Sequence, residues 1–288
     1  MACRRSPRIP PKRERRQATG TTGMWGDTAV MLDGRTVVVA GVGPGLGRAI
    51  VETSARQGAN VVAAARTAER LADIVRGLPD PARALAVSAD ISDLASCRHL
   101  AELAVDRFGG IDGVVNNAVW LPASAPMPDT MEADWSRAFD VNVTGPWRVV
   151  MASLDALAAS GRGAVVNVGS QAAKRSSPGL GIYAASKSAL TTITDSMATE
   201  LGTRGVRVNE VIPGSILGPA LAAYLEGEAE RSGIPVEQAL EQRSSHAALR
   251  RLVSPQEIAN VVVFLLSDLA SGVTGAHVDV DCGVRLGR

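Results

Sequence analysis

The sequence predicts an α/β fold: one doubly wound, seven-stranded parallel sheet with helices on both faces. Two observations predict it. Short, near-continuous runs of β-branched and small apolar residues recur along the chain, the pattern of strands buried on both faces. Stretches with helical spacing alternate with them, and right-handed crossovers then wind helices onto both sides of the sheet. Such a sheet takes its ligand at the carboxyl ends of its strands.

In order, Thr36-Val37-Val38-Val39-Ala40 reads as the first strand. A glycine-rich turn follows, and then Arg48-Ala49-Ile50-Val51-Glu52 at helical spacing. Asn60-Val61-Val62-Ala63 is the second strand, with a helix through Glu69-Arg70-Leu71-Ala72 behind it. Strands are predicted over 84–89, 113–116, 163–168 and 206–211, separated by helices over 94–108, 134–159 and 183–201. The segment 215–252 mixes leucines with charges and is broken by Pro235, so a helical lid and a plain surface excursion both fit it. Pro255-Gln256-Glu257 opens a last helix, and Ala276-His277-Val278-Asp279-Val280 supplies the seventh strand. No repeat and no second core is visible. The organisation expected is a basic, disordered tail over 1–30 and one domain over 31–288.

Charge is unevenly placed. Net charge is +1, yet residues 1–20 hold seven cations and one acid, so the body is mildly acidic. Aromatic residues make up 3%. Both facts argue against nucleic acid as a partner. Cys3, Cys97 and Cys282 lie far apart, which fits a reducing, cytoplasmic compartment and no thiolate metal site. His99, His246 and His277 show no ligand spacing, and no metal is expected. No apolar run reaches the ~18 residues of a membrane span. The leader lacks the apolar core of a secretory signal.

The turn after the first strand reads Gly41-Val42-Gly43-Pro44-Gly45-Leu46-Gly47 and opens a helix. Glycine lets backbone approach a pyrophosphate, and the helix N-terminus offers unpaired N–H groups. The second strand ends Ala65-Arg66-Thr67, without the acid that would bind a ribose 2′-hydroxyl. Arginine there suits a 2′-phosphate. NADP(H) is therefore the favoured cofactor, with NAD(H) as the alternative.

Tyr183-Ala184-Ala185-Ser186-Lys187 sets a phenol and an amine at i and i+4, on one helix face. The chain has only three lysines and two tyrosines, so the pairing draws notice. An adjacent ammonium is expected to lower the tyrosine pKa and fit it for proton transfer. Ser170, just past the fifth strand, can donate to a substrate oxygen.

Together these residues resemble the classical short-chain dehydrogenase/reductase family, over about residues 33–283. The glycine loop is similar to its [TA]GxxxGxG, and Tyr183 and Lys187 to its YxxxK. The resemblance implies a Rossmann-like fold and hydride transfer between the nicotinamide cofactor and a ketone or aldehyde/alcohol pair on a small, apolar substrate. It implies a catalytic set of Asn142, Ser170, Tyr183 and Lys187, with Asn142 holding a water. It implies cofactor contacts at Gly41, Gly43, Gly45, Leu46, Gly47, Arg66, Asp90, Ile91, Asn117, Ala118, Pro213, Gly214 and Ile216, as well as Tyr183 and Lys187. It also implies a homotetramer or dimer. The fourth position of the family's NNAG motif is Val119 here, and the threonine that often follows its PG turn is absent. Trp120, Leu121, Pro122, Trp147, Leu217 and Tyr224 are candidates for an apolar substrate pocket. An NAD-preferring alcohol dehydrogenase and a non-catalytic dinucleotide-binding sensor remain as alternative readings.

Overall fold

The computed structural model describes residues 30–284 of the 288-residue chain. The basic tail expected over 1–30 lies, Val30 apart, outside the described residues.

Valine and alanine runs form the sheet: β1 (Thr36–Ala40), β2 (Asn60–Ala65), β3 (Ala84–Ser88), β4 (Gly113–Asn116), β5 (Ala164–Val168), β6 (Arg207–Pro213) and β7 (His277–Val280). They lie in the order β3-β2-β1-β4-β5-β6-β7, all parallel. Successive residues of β1 point to opposite faces, so each face carries its own core. Val37 and Val39 pack with Ile50, Ile258 and Val262 from α1 (Leu46–Arg56) and α9 (Pro255–Leu266). Val38 and Ala40 pack with Leu100, Leu157 and Leu201 from α3 (Leu94–Phe108), α5 (Gly145–Ser160) and α6 (Gly181–Gly202). This one sheet, covered on both sides, makes a single-domain Rossmann-like fold. Strand order reverses between β1 and β4, and a crevice opens there.

Several boundaries differ from the sequence expectation. The helix expected over 134–159 is two helices, α4 (Glu132–Phe139) and α5, joined by a π-helical turn at Asp140–Thr144. Periodicity alone does not reveal one inserted residue in a helix, whereas π-turns tend to mark functional sites. β6 runs on through Pro213, and β2 through Ala65. The ambiguous 215–252 segment contains two helices, α7 (Pro219–Ser232) and α8 (Val236–Ser245), with Pro235 at the N-cap of α8. Its base is closed by a parallel bridge between Ile216 and Val253. The remaining helix, α2 (Ala68–Arg76), follows β2. No helix among the described residues is long and apolar enough to cross a membrane.

Candidate active site

The cavity at the carboxyl ends of β1, β4, β5 and β6 has a volume of about 500 Å³. Its floor is the turn from β1 into α1. Gly41 takes φ +96° and lies so close to Ala118 that a side chain there would overlap the Ala118 backbone nitrogen. Both constraints require glycine. The turn is tied down by Gly41 N–H to the Ala64 carbonyl at 2.8 Å and by Asn117 Nδ2 to the Gly41 carbonyl at 2.6 Å. At Gly43 and Gly45, by contrast, a Cβ would meet nothing within 4 Å. Gly45 is the N-cap of α1 and contributes no side-chain acceptor to the first turn. Open space beside an uncapped helix N-terminus fits the pyrophosphate of a dinucleotide.

Arg66 lines the cavity from the end of β2 and is exposed, and Thr67 stands beside it. Asp90 closes the same end. Its Oδ1 accepts from Ser92 Oγ at 2.6 Å and Ser92 N at 2.9 Å. These bonds hold the carboxyl below its ordinary pKa, aided by the positive charges of Arg137 and Arg66. The Asn116 side chain is directed inward instead, donating to Asn167 Oδ1 at 2.8 Å and bracing β4 against β5.

The opposite end of the cavity gathers Ser170, Tyr183 and Lys187. Ser170 caps a short 3-10 turn after β5, while Tyr183 and Lys187 lie in the first two turns of α6. The ammonium of Lys187 is buried, 6.0 Å from the Tyr183 ring centroid, and donates to the Val168 carbonyl at 2.7 Å. An ammonium carries three N–H donors. A buried ammonium with one such bond, lining the cavity, suits the hydroxyls of a ribose. Burial pulls its pKa down to about 8, against the opposing charge of Glu210.

The expectation that Lys187 depresses the tyrosine is not met here. Burial raises the Tyr183 pKa, and the opposing influence is a hydrogen bond from Ser170. The Lys187 ammonium is bonded instead to the Val168 carbonyl at the end of β5.

Of the sequence-predicted site residues, Gly41, Gly43, Gly45, Leu46, Gly47, Arg66, Asp90, Ile91, Asn117, Ala118, Ser170, Tyr183, Lys187, Pro213, Gly214 and Ile216 all line this one cavity. Asn142 does not. It sits in the π-turn, wholly buried, behind the wall. Its Oδ1 accepts from Trp120 N at 2.8 Å, and its Nδ2 donates to the Trp120 carbonyl at 2.9 Å and to Ser186 Oγ at 3.0 Å. The side-chain amide is thus committed to pinning the loop after β4. Among the aromatic and apolar candidates, Trp120 lines the cavity. Leu121, Trp147, Leu217 and Tyr224 are instead exposed large side chains, with Tyr224 under Arg243.

Sequence reasoning passed over Val168, whose carbonyl holds the lysine, and Arg137, which lines the adenine end. Neither carries a motif. It also passed over Glu210, a carboxylate buried in the middle of β6.

Comparisons with known proteins agree with this geometry. The family model described as "Enoyl-(Acyl carrier protein) reductase" matches residues 41–285. The chain is 33% identical over 264 residues to 7alpha-hydroxysteroid dehydrogenase of Escherichia coli K12, covering 90% of this chain and 98% of that protein. It superposes on L-sorbose reductase from Gluconobacter frateurii, complexed with NADPH and L-sorbose, with a TM-score of 0.83. That match has 28% identity and covers 89% of this chain and 98% of the other. An NAD+-bound xylitol dehydrogenase matches with a TM-score of 0.79 and 25% identity, over 88% and 99% of the two chains. The chain belongs to the short-chain dehydrogenase/reductase family, and is an oxidoreductase acting on CH–OH groups with a nicotinamide nucleotide.

Proposed function

We propose that the protein is an NADP(H)-dependent reductase that interconverts a ketone or aldehyde and an alcohol on a small, apolar substrate. The observation that carries this reading is the meeting of Ser170, Tyr183 and Lys187 at one end of a cavity whose other end is a glycine cradle. When bound, the nucleotide supplies the hydride in reduction and accepts it in oxidation. Ser170 Oγ donates to the substrate oxygen and orients it. The Tyr183 phenol gives its proton to that oxygen in reduction and takes it back in oxidation. Burial raises the Tyr183 pKa and so favours the protonated phenol. Lys187 holds ribose hydroxyls with its remaining donors. Asn142 acts by fixing Trp120 at the mouth.

NADP(H) preference rests on Arg66, exposed at the end of β2, with Arg137 adding positive charge nearby. The α7–α8 segment serves as the substrate lid, the protein assembles as a homotetramer or dimer, and it works in the cytoplasm.

The test is a panel of ketones with NADPH and NADH, run with Tyr183→Phe as control. We expect turnover that falls by about 10²-fold or more in the control, the usual worth of a general acid. Turnover that survives in Tyr183→Phe would refute the mechanism, and nucleotide binding without turnover on any substrate would favour a sensor. Arg66→Asp should shift preference from NADPH toward NADH; unchanged preference would overturn the assignment of Arg66.

A further inference from the structure

Behind the lysine, on the side away from the cavity, lies a charged cluster that the proposed reaction does not use. Glu210 sits in the middle of β6 with no exposed side-chain surface. Its Oε2 is 2.6 Å from His277 Nδ1 on the neighbouring edge strand β7, and its Oε1 accepts from Thr191 Oγ1 at 3.1 Å. The other ring nitrogen, His277 Nε2, is 2.8 Å from Asp195 Oδ1, which is 58% exposed. A chain of contacts therefore runs from a wholly buried carboxylate to solvent.

The same carboxylate abuts the catalytic end of the sheet. β5 and β6 pair Asn167 with Glu210 and Val168 with Val211, so Glu210 lies beside the strand end whose Val168 carbonyl holds Lys187. The next residue, Gly169, has no room for a side chain because Glu210 Oε1 occupies the space. Thr191, which donates to Glu210, also lies within 3.2 Å of the Lys187 carbonyl one helical turn earlier. An isolated carboxylate in such a place is costly, and a charge partner is the ordinary remedy. Two cationic groups qualify here, His277 on one side and Lys187 on the other.

We propose that Glu210 and His277 form a buried charge couple that sets the charge on Lys187, making Glu210 a positioning residue for the tyrosine–lysine pair. The inference rests on the reading of Lys187 given above. Burial pushes the Glu210 pKa up, while His277, Thr191 and Lys187 oppose it. Burial pulls on His277 in the neutral direction, but its bonds to Glu210 and Asp195 outweigh that and leave it raised. With Glu210 ionised and His277 protonated, the couple carries no net charge. As His277 loses its proton the couple becomes an uncompensated anion. Its attraction for the Lys187 ammonium therefore grows with pH, where that ammonium is closest to losing its proton. The other charged groups around the couple are Asp195 on α6, Asp279 on β7, and Lys174, which pairs with Asp279 at 2.6 Å.

The chain's own composition makes the test direct. It has only three lysines and three histidines, so full-length protein carrying 13C at lysine Cε and histidine Cε1 gives few signals. They are assigned with Lys12→Arg, Lys174→Arg, His99→Gln and His246→Gln. In the unmodified protein the Lys187 resonance should titrate near its own midpoint and show a smaller step at the midpoint of His277. In Glu210→Gln the Lys187 midpoint should fall by about one pH unit, a tenfold rise in acid dissociation, as expected for losing a close opposite charge. A Lys187 midpoint unmoved by Glu210→Gln would overturn the proposal. If that variant does not fold, the unmodified protein decides: a Lys187 curve with no step at the His277 midpoint overturns it equally. Neither readout needs turnover, so failure of the proposed function and failure of the charge couple are separately visible.

Discussion

Replacing Lys187 by methionine exchanges a buried ammonium for an uncharged side chain of similar length. Burial draws the lysine from 10.5 to about 8, despite the pull of Glu210 the other way. A displacement of that size corresponds to about 3 kcal/mol of lost folding stability at neutral pH. The folded value lies below the unfolded one, so the penalty is complete below about pH 8. It shrinks as pH rises between about 8 and 10.5, and is gone above that. Methionine escapes the penalty but leaves the Val168 carbonyl without its donor, at about 1–3 kcal/mol. Near pH 7 the two effects offset each other, and a single measurement would reveal little. Their pH dependences differ, because the lost hydrogen bond does not titrate. The stability of Lys187→Met relative to the parent should therefore fall by about 3 kcal/mol as pH is raised from about 7 to about 10.5. Urea unfolding at a series of pH values, at fixed protein concentration so that any assembly contributes equally, measures it. A relative stability that stays flat across that range would refute the reasoning, since it would mean that the folded lysine titrates like an unfolded one.

Gly41→Ala forces a left-handed backbone onto a side chain that overlaps Ala118, and should cost at least about 2 kcal/mol in thermal unfolding together with nucleotide binding. Asn142→Ala leaves the Trp120 backbone N–H and carbonyl without partners and should cost about 3 kcal/mol, read by chemical denaturation. Ser254→Ala removes half of the capping box of α9 and should cost about 1 kcal/mol at neutral pH. Glu257, the other half, is held down to about 2 by Arg251 and Ser254, so its contribution is present above about pH 4.5 and fades as pH falls toward 2. The stability gap between Glu257→Gln and the parent should close over that acid window.

The elements that were legible in the sequence share a property: one local pattern suffices to specify them. The valine runs at Thr36–Ala40 and Ala164–Val168 have no helical alternative of that length between glycine turns. The Ser254–Pro255–Glu257 cap states its own helix start. The π-turn at Asp140–Thr144 was not legible, because it depends on Asn142 reaching across to the loop at Trp120. The candidate site was legible where backbone chemistry demands a residue type, as at Gly41, and where two scarce residues sit one helical turn apart, as at Tyr183 and Lys187. It was not legible where a residue acts through its carbonyl, as Val168 does, or from the far side of a strand, as Glu210 does.

By itself, the order of residues determined the sheet, its crossovers and the gathering of a glycine turn with a phenol and an amine at the strand ends, since period and spacing are local and the handedness of crossovers leaves little choice. Only the tertiary structure decided the charge state of that gathering. Whether Tyr183 is lowered or raised, whether Lys187 faces the phenol or the Val168 carbonyl, and what stands behind it all depend on burial and on partners distant in the chain. Desolvation and Coulomb attraction are set by distance and exposure in space, and sequence separation carries neither.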